Sequence, residues 1–188
     1  MTHPAIAATR AWVTHAVIGL NLCPFAKAPQ AKGQIRYVLS PATSPEALLA
    51  DLMVELQRLA DTPPEVTETT LLVHPHVLGD FDDYNDFLDV AEAALTDLDL
   101  EGVLQVASFH PQYCFADSAA DDPANATNRS PYPTLHLLRE DSVDRAVAAF
   151  PEAEAIFEAN VATMDRLGSD GWAALQQRWQ APAGDDPA

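Results

Sequence analysis

Residues 69–75, Thr-Thr-Leu-Leu-Val-His-Pro, contain the pattern that decides the fold: a run of strand-forming residues that ends in a polar residue and a proline. The same ending recurs at Ser40-Pro41 and at His110-Pro111. The three prolines are 34 and 36 residues apart, a spacing that suits a strand, a crossover helix and the next strand. Because such crossovers are right-handed, the repeat predicts three parallel strands. These strands are predicted at 35–39, 69–73 and 103–109.

Helical periodicity occupies the stretches between the strands. Ser44-Pro45-Glu46 is a strong helix start, and a second crossover helix is predicted from about Asp82. Before the first strand, an amphipathic pattern predicts a helix from about Pro4 to Leu20, with Thr2 as its cap. A loop follows it up to Gly33. Further helices are predicted at 143–150, at 151–167 and in a short segment that contains Trp172 and Trp179.

A fourth strand, predicted at 134–138, follows the third without an intervening helix. The stretch between them, 111–133, is predicted to be a long loop rich in Asp, Asn, Ser and Pro. A connection without a crossover helix favours an antiparallel strand. The predicted fold is therefore α/β, with three parallel strands, crossover helices, a fourth antiparallel strand and extra C-terminal helices. We expect one domain over residues 1–180 and a disordered tail over 181–188.

The charge balance restricts the possible partners. With 10 basic and 28 acidic residues, the formal net charge is −18, a field that repels nucleic acid and anionic membranes. No apolar run is long enough to cross a bilayer, and the N-terminus lacks the pattern of a signal peptide. Two distant cysteines, Cys23 and Cys114, are expected to be free thiols in a reducing compartment. These features predict a cytoplasmic protein.

The predicted topology also brings polar side chains to one edge of the sheet. Ser40, His74 and His110 follow the carboxyl ends of the parallel strands, where open α/β sheets usually bind ligands. An antiparallel fourth strand would start at the same edge, so the loop before it would add four polar residues there: Asn128, Arg129, Ser130 and Tyr132.

Arg129 is the best candidate for binding an anion. It lies in one of two acid-free stretches, 21–36 and 123–139, which together hold half of the basic residues. A guanidinium group binds carboxylate or phosphate through two hydrogen bonds, and Pro131 and Pro133 would stiffen the loop. Pairing of Arg129 with a surface acid, and chance loss of acids from loops, are the alternatives.

His74 and His110 could transfer protons or bind a transition metal, and either could instead be a structural residue at a strand end. His136, inside the fourth strand, could complete a three-histidine metal site if it shares their face of the sheet. A buried histidine with a hydrogen-bond partner is the simpler interpretation of His136.

Cys23 is a candidate nucleophile or metal ligand. It follows the first helix in Asn-Leu-Cys-Pro-Phe, and a nearby cation such as Lys27 would lower its pKa and favour the thiolate. Burial of an inert thiol is the alternative.

Several segments together resemble a bacterial family known as domain of unknown function 1415. They are Asn-Leu-Cys-Pro-Phe at 21–25, Glu-Thr-Thr-Leu-Leu-Val-His-Pro at 68–75, Asp-Tyr-Asn-Asp-Phe-Leu at 83–88, Ser-Phe-His-Pro at 108–111 and Thr-Asn-Arg-Ser-Pro-Tyr-Pro-Thr-Leu-His-Leu-Leu-Arg-Glu at 127–140. The resemblance covers most of residues 5–150. It implies a bacterial cytosolic protein and no particular substrate.

Three functions remain open from the sequence. The leading hypothesis is an enzyme that binds a small anionic metabolite through Arg129, Asn128, Ser130 and Tyr132, with His74, His110 and Cys23 as catalytic residues. The second is a non-catalytic metal-binding protein that uses His74, His110 and His136. The third is a protein-interaction module in which the 111–133 loop recognises a partner. No glycine-rich phosphate loop, Cys-x-x-Cys pair, His-Glu-x-x-His helix or Gly-x-Ser-x-Gly elbow occurs.

Overall fold

A computed structural model of the chain describes residues 2–149 and 155–180. It contains one four-stranded sheet, with strand order β1-β2-β4-β3. The strands are β1 (Ile35–Leu39), β2 (Thr69–Val73), β3 (Leu104–Phe109) and β4 (Thr134–Arg139). β1 is parallel to β2, and β4 is antiparallel to both of its neighbours, so β1, β2 and β3 run in the same direction. The predicted α/β class and the antiparallel fourth strand are confirmed. The sequence did not predict that β4 lies between β2 and β3.

Helices connect the strands and cover both faces of the sheet. They are α1 (Pro4–Trp12), a π-helix (Val13–Ile18), α2 (Lys27–Ala31), α3 (Pro45–Asp61), α4 (Phe81–Asp97), a 3-10 helix (Pro123–Asn128), α5 (Glu140–Ala149) and α6 (Ala155–Gln180). Side chains cap the crossover helices, as expected for residues that accept from free N–H groups. Ser44 Oγ accepts from Ala47 N at 3.3 Å, and the Asp80 carboxylate accepts from Asp82 N at 3.0 Å.

The first helix differs from the single helix predicted up to Leu20. Its cap is His3, whose Nδ1 accepts from Ala5 N at 3.2 Å, rather than Thr2. After Trp12 the backbone widens into the π-helix, in which a carbonyl accepts from the fifth residue along: Gly19 N donates to Thr14 O at 3.1 Å. Such π-segments frequently occur at functional sites.

The two faces of the sheet bury different clusters. On one face, α3 and α4 pack their leucines and Tyr84 against Leu72, Leu135 and Leu137. On the other face, α1, the π-helix and α6 pack around Trp12, Leu71 and Phe109. Because side chains alternate along a strand, the strand register determines the face on which each polar residue lies.

The 111–133 loop is more ordered than its composition predicts. Asn125 is fully buried at its centre, and its Oδ1 accepts from Phe115 N at 2.9 Å and from Ser118 Oγ at 2.7 Å. Its Nδ2 donates to Ala119 O at 2.8 Å. The predicted loop up to Gly33 likewise contains a short helix, α2. Both segments obtain their order from contacts that lack a simple periodicity.

The C-terminal helices follow the predicted division. α5 begins at Glu140, three residues before the predicted start, and Gly168, with the non-helical angles φ 65° and ψ 174°, divides α6 where the helix predicted over 151–167 ends. The predicted helix start at Pro151 and the predicted tail over 181–188 lie outside the described residues. Among the helices that the structure describes, none has the length and apolar character required to span a membrane.

Candidate functional site

The carboxyl ends of β1, β2 and β3 and the amino end of β4 meet at one edge of the sheet. The backbone joins them there: His74 N donates to Pro133 O at 3.0 Å, and His110 N donates to Asn128 O at 3.2 Å. The two histidines and the segment 128–133 are therefore neighbours. Ser40 lies at the same edge, where its N donates to Val73 O and its hydroxyl donates to Asp51 Oδ2 at 2.5 Å.

His74 and His110 are buried at this edge, and both bind the loop between β2 and α4. His74 Nδ1 donates to Val77 O at 3.1 Å, and His110 Nε2 donates to Leu78 O at 3.1 Å. Because a carbonyl oxygen only accepts, these bonds assign the protonated nitrogen of each ring. His110 Nδ1 accepts from Gln112 N at 3.1 Å, whereas His74 Nε2 is buried without a partner among the described residues.

Burial favours the neutral form of both rings. It lowers the pKa of His74 to about 4, with a smaller contribution from the nearby His110, and it also lowers the pKa of His110. Tyr84 packs between them, with ring centroids 5.8 Å from His74 and 5.0 Å from His110. The Tyr84 hydroxyl donates to Thr134 O at 2.8 Å and accepts from Phe109 N at 3.1 Å. The cluster thus fixes the strand ends and the adjacent loop.

The segment 128–133 has mixed roles. Asn128 Nδ2 donates to Ser108 O at 3.3 Å, and the buried Ser130 hydroxyl donates to Tyr132 O at 2.7 Å. Arg129 donates from Nε to Tyr113 O at 3.1 Å and from Nη2 to Ala120 O at 2.7 Å. The guanidinium group therefore organises the long loop, and its Nη1 has no hydrogen-bond partner among the described residues.

A cleft of about 540 Å³ opens beside this segment. Arg129, Ser130 and Tyr132 form one wall, the start of α1 forms another, and the end of α6 contributes Gln176 and Arg178. Arg178 is exposed and makes no ion pair or hydrogen bond with a described residue. Sequence reasoning missed Arg178, because nothing in its local pattern shows that the end of α6 packs beside the 111–133 loop.

The described lining of the cleft is basic, although the protein as a whole is acidic. None of the described residues that line it is acidic, although the chain has 28 acidic residues. Neither Arg129 nor Arg178 has a carboxylate within 4.0 Å among the described residues. An anion that enters the cleft would meet two guanidinium groups and would not displace a bound acid.

His136 lies on the opposite face of the sheet from His74 and His110. It pairs in register with Leu71 and Ala107, between Leu135 and Leu137, which face α3 and α4. Its ring packs against Phe109 at 5.8 Å, in the cluster around Trp12. The three histidines of the metal hypothesis are therefore not brought together. No group of three or more His, Cys, Asp or Glu residues within 2–149 and 155–180 is arranged to hold a metal ion.

Cys23 lies on the same face as His136, in the wall of a second pocket. Burial raises the pKa of the Cys23 thiol, and this outweighs the backbone hydrogen bonds of Phe25 and Ala26, which favour the thiolate. This direction is opposite to the effect expected from Lys27, because desolvation of the sulfur dominates. The structure thus separates Cys23 from the edge where His74, His110 and Arg129 lie.

A family model described as a protein of unknown function, DUF1415, matches residues 4–174. The chain belongs to this family. The resemblance noted in the sequence is thereby confirmed, and it extends through most of α6. No curated protein and no solved structure shows significant similarity to the chain. The function of this DUF1415 protein must therefore be argued from its own side chains.

Proposed function

We propose that this DUF1415 protein binds a small anionic metabolite, a carboxylate or a phosphate, in the cleft at the carboxyl edge of its sheet. One observation carries the proposal: Arg129 and Arg178 line a cleft in which none of the described lining residues is acidic, in a chain with a net charge of −18. In such a chain, an acid-free cleft with two arginines concentrates positive potential at one place. The volume of about 540 Å³ is that of an ordinary small-molecule site.

The two arginines have different parts in this function. Arg129 is fixed by Tyr113 O and Ala120 O, so its remaining Nη1 is held in position before a ligand arrives. Arg178 is exposed and unpaired among the described residues, so it can move to contact the ligand. A rigid and an adjustable cation together would accommodate anions of different size.

The function we propose is binding rather than catalysis. His74 donates to Val77 O, and His110 donates to Leu78 O. Neither histidine has exposed surface, so neither ring is placed to exchange protons with a ligand in the cleft. Cys23 lines the other pocket. These positions support a structural part for the histidines at the strand ends.

The experiment is a titration of the full chain with two probes, inorganic phosphate and malonate, by isothermal titration calorimetry at low ionic strength. We expect saturable binding of at least one probe. In the Arg178→Gln variant this binding should weaken roughly tenfold, the effect of losing one hydrogen bond between charged groups. The matched control is Arg166→Gln, in the same helix but outside the cleft, which should bind as the native protein does.

The affinity and the unfolding temperature of Arg178→Gln together decide between the outcomes. Arg178 makes no ion pair or hydrogen bond with a described residue, so loss of binding in Arg178→Gln with an unchanged unfolding temperature supports the proposal. Equal affinity in Arg178→Gln and the native protein would overturn it. If neither phosphate nor malonate bound saturably at millimolar concentration, the proposal would be overturned as well.

A further inference from the structure

A second pocket, of about 290 Å³, lies on the face of the sheet opposite α3 and α4. Its walls come from the π-helix, from Cys23 and the residues after it, from the strands β1 to β4, and from α5. Most of the surface is apolar: Val17, Ile35, Leu71, Phe109 and Leu138 all contribute to it. An apolar pocket with a few polar atoms is the usual form of a small-molecule site.

The hydrogen bonds around His136 determine which of its ring nitrogens has no hydrogen-bond partner. The Thr69 hydroxyl has one proton, which it donates to Leu137 O at 2.6 Å. Thr69 Oγ1 must therefore accept from His136 Nε2, which lies 2.7 Å away. This fixes the proton on Nε2 and leaves Nδ1 with a lone pair. Nδ1 has no hydrogen-bond partner among the described residues.

Burial keeps this imidazole neutral, because it lowers the pKa of His136 to about 4. At neutral pH the ring therefore presents an acceptor and no charge. The same wall includes Trp12, whose buried indole N–H also lacks a partner among the described residues. Buried polar groups normally find partners, so unfilled ones in the wall of a pocket point to a ligand.

We propose that this pocket binds a compact, neutral, largely apolar molecule with a hydrogen-bond donor, such as a hydroxyl group, and that the donor pairs with Nδ1 of His136. A neutral ligand is favoured over an ion because most of the lining is apolar and would leave an ion desolvated. The charged residues in the described lining are Glu68 and Arg139, and the Arg139 guanidinium already donates to Leu59 O at 2.7 Å and to Thr67 O at 3.0 Å. The volume accommodates one or two rings and excludes a folded peptide segment. This site is separate from the arginine cleft, and neither site depends on the other.

Cys23 provides a readout confined to this pocket. Its thiol lies in the pocket wall, so a bound molecule should slow its reaction with N-ethylmaleimide. The measurement uses a Cys114→Ser background, because Cys114 is the other free cysteine and lies in the 111–133 loop. The probes are 2-naphthol, which has a hydroxyl donor, and 2-methoxynaphthalene, which has the same rings without it.

We expect 2-naphthol to protect Cys23 saturably, and 2-methoxynaphthalene to bind about three- to tenfold more weakly, the effect of one neutral hydrogen bond. In His136→Gln, the amide nitrogen can still donate to Thr69 Oγ1, but the acceptor at Nδ1 is gone. The difference between the two probes should disappear in that variant. The loss of discrimination distinguishes a contact with the ligand from a general loosening of the fold.

A pair of variants in α5 tests the location. Ala146 lines the pocket and is only partly buried, so Ala146→Trp should fill the pocket and abolish protection with little effect on folding. Ala148 is exposed in the same helix and does not line the pocket, so Ala148→Trp should leave protection unchanged. No saturable protection by 2-naphthol, equal protection by both probes, or full protection in Ala146→Trp would each overturn the proposal. Binding of phosphate or malonate in the arginine cleft is measured independently of these results.

Discussion

The side chains of His74 and His110 hold neighbouring carbonyl groups of one loop, Val77 O and Leu78 O, each at 3.1 Å. The loop needs this support, because Leu78 has a positive φ of 56°, which is uncommon for a leucine. The matched strand endings in the sequence, His-Pro after β2 and His-Pro after β3, therefore serve one shared structural purpose. They fix the connection from β2 to α4.

Replacement of His74 should lower the free energy of unfolding, by an amount that depends on whether the new side chain can still donate a hydrogen bond to Val77 O. In His74→Leu, the Val77 carbonyl loses its donor in a buried place, and we expect the free energy of unfolding to fall by about 2 kcal/mol or more. In His74→Asn, the amide can occupy the position of Nδ1 and keep this bond, so the loss should be smaller. Urea unfolding of the two variants checks this order. Equal losses would show that the hydrogen bond to Val77 O is not what His74 contributes.

Acidification should destabilise the protein through its buried histidines. The pKa of His136 is about 4 in the folded chain, below its ordinary value near 6.5, so the unfolded chain takes up a proton first as the pH falls. The stability from neutral His136 is complete above the ordinary pKa and is lost as the pH falls towards 4. Between about pH 7.5 and pH 5 this loss is about 2 kcal/mol.

The variant His136→Gln isolates the contribution of this one residue. Because glutamine does not titrate, the variant should lose about 2 kcal/mol less stability than the native protein over the same range of pH. The native protein and the variant would be compared by urea unfolding at both ends of the range. Parallel pH profiles for the two proteins would contradict the prediction.

Tyr84 should contribute through its hydroxyl group rather than its ring alone. In Tyr84→Phe, Phe109 N loses its acceptor and Thr134 O loses its donor, at the junction of β3 and β4. We expect a loss of about 2 kcal/mol in the free energy of unfolding. Tyr113→Phe is the matched control, because the Tyr113 hydroxyl has no hydrogen bond to a described residue. A comparable loss in the control would argue against this assignment.

Gly19 should be required by the π-helix. A Cβ atom at this position would lie 2.3 Å from His15 O, which is closer than two non-bonded atoms can approach. We therefore expect Gly19→Ala to lower the unfolding temperature by several degrees, since removing the contact requires a shift of the backbone. Gly79→Ala, where a Cβ would meet no atom within 4 Å, should leave the unfolding temperature nearly unchanged. The two melting curves, measured side by side, test the difference.

The sequence predicted the parts of the fold that depend on local pattern. The repeated polar–proline endings predicted the direction of β1, β2 and β3, and the absence of a helix before β4 predicted its opposite direction. The position of β4 between β2 and β3 could not be predicted, because it depends on which strand edges are open after the crossovers. The face of the sheet on which His136 lies could not be predicted either, because it depends on the register of β4. The structure places His136 on the face away from His74 and His110.

The candidate sites depend even more on tertiary contacts. Arg129 was found from the acid-free composition of its segment, but its partner in the cleft, Arg178, lies almost fifty residues later in a helix whose packing has no local signal. The pKa of Cys23 follows from burial by residues distant in sequence rather than from the adjacent lysine. Short-range charge patterns therefore predict ionisation poorly when desolvation is the larger effect.

The insertion of β4 between β2 and β3 has a consequence for synthesis on the ribosome. Among the described strands, β3 pairs only with β4. A nascent chain that has emerged only as far as the 111–133 loop therefore contains β3 without its partner strand, and β2 with one open edge. Open edges of this kind favour pairing between different chains. The sheet becomes continuous only after Arg139 has left the exit tunnel, so chains that terminate early in the 111–133 loop should aggregate, whereas full-length chains close the gap from within.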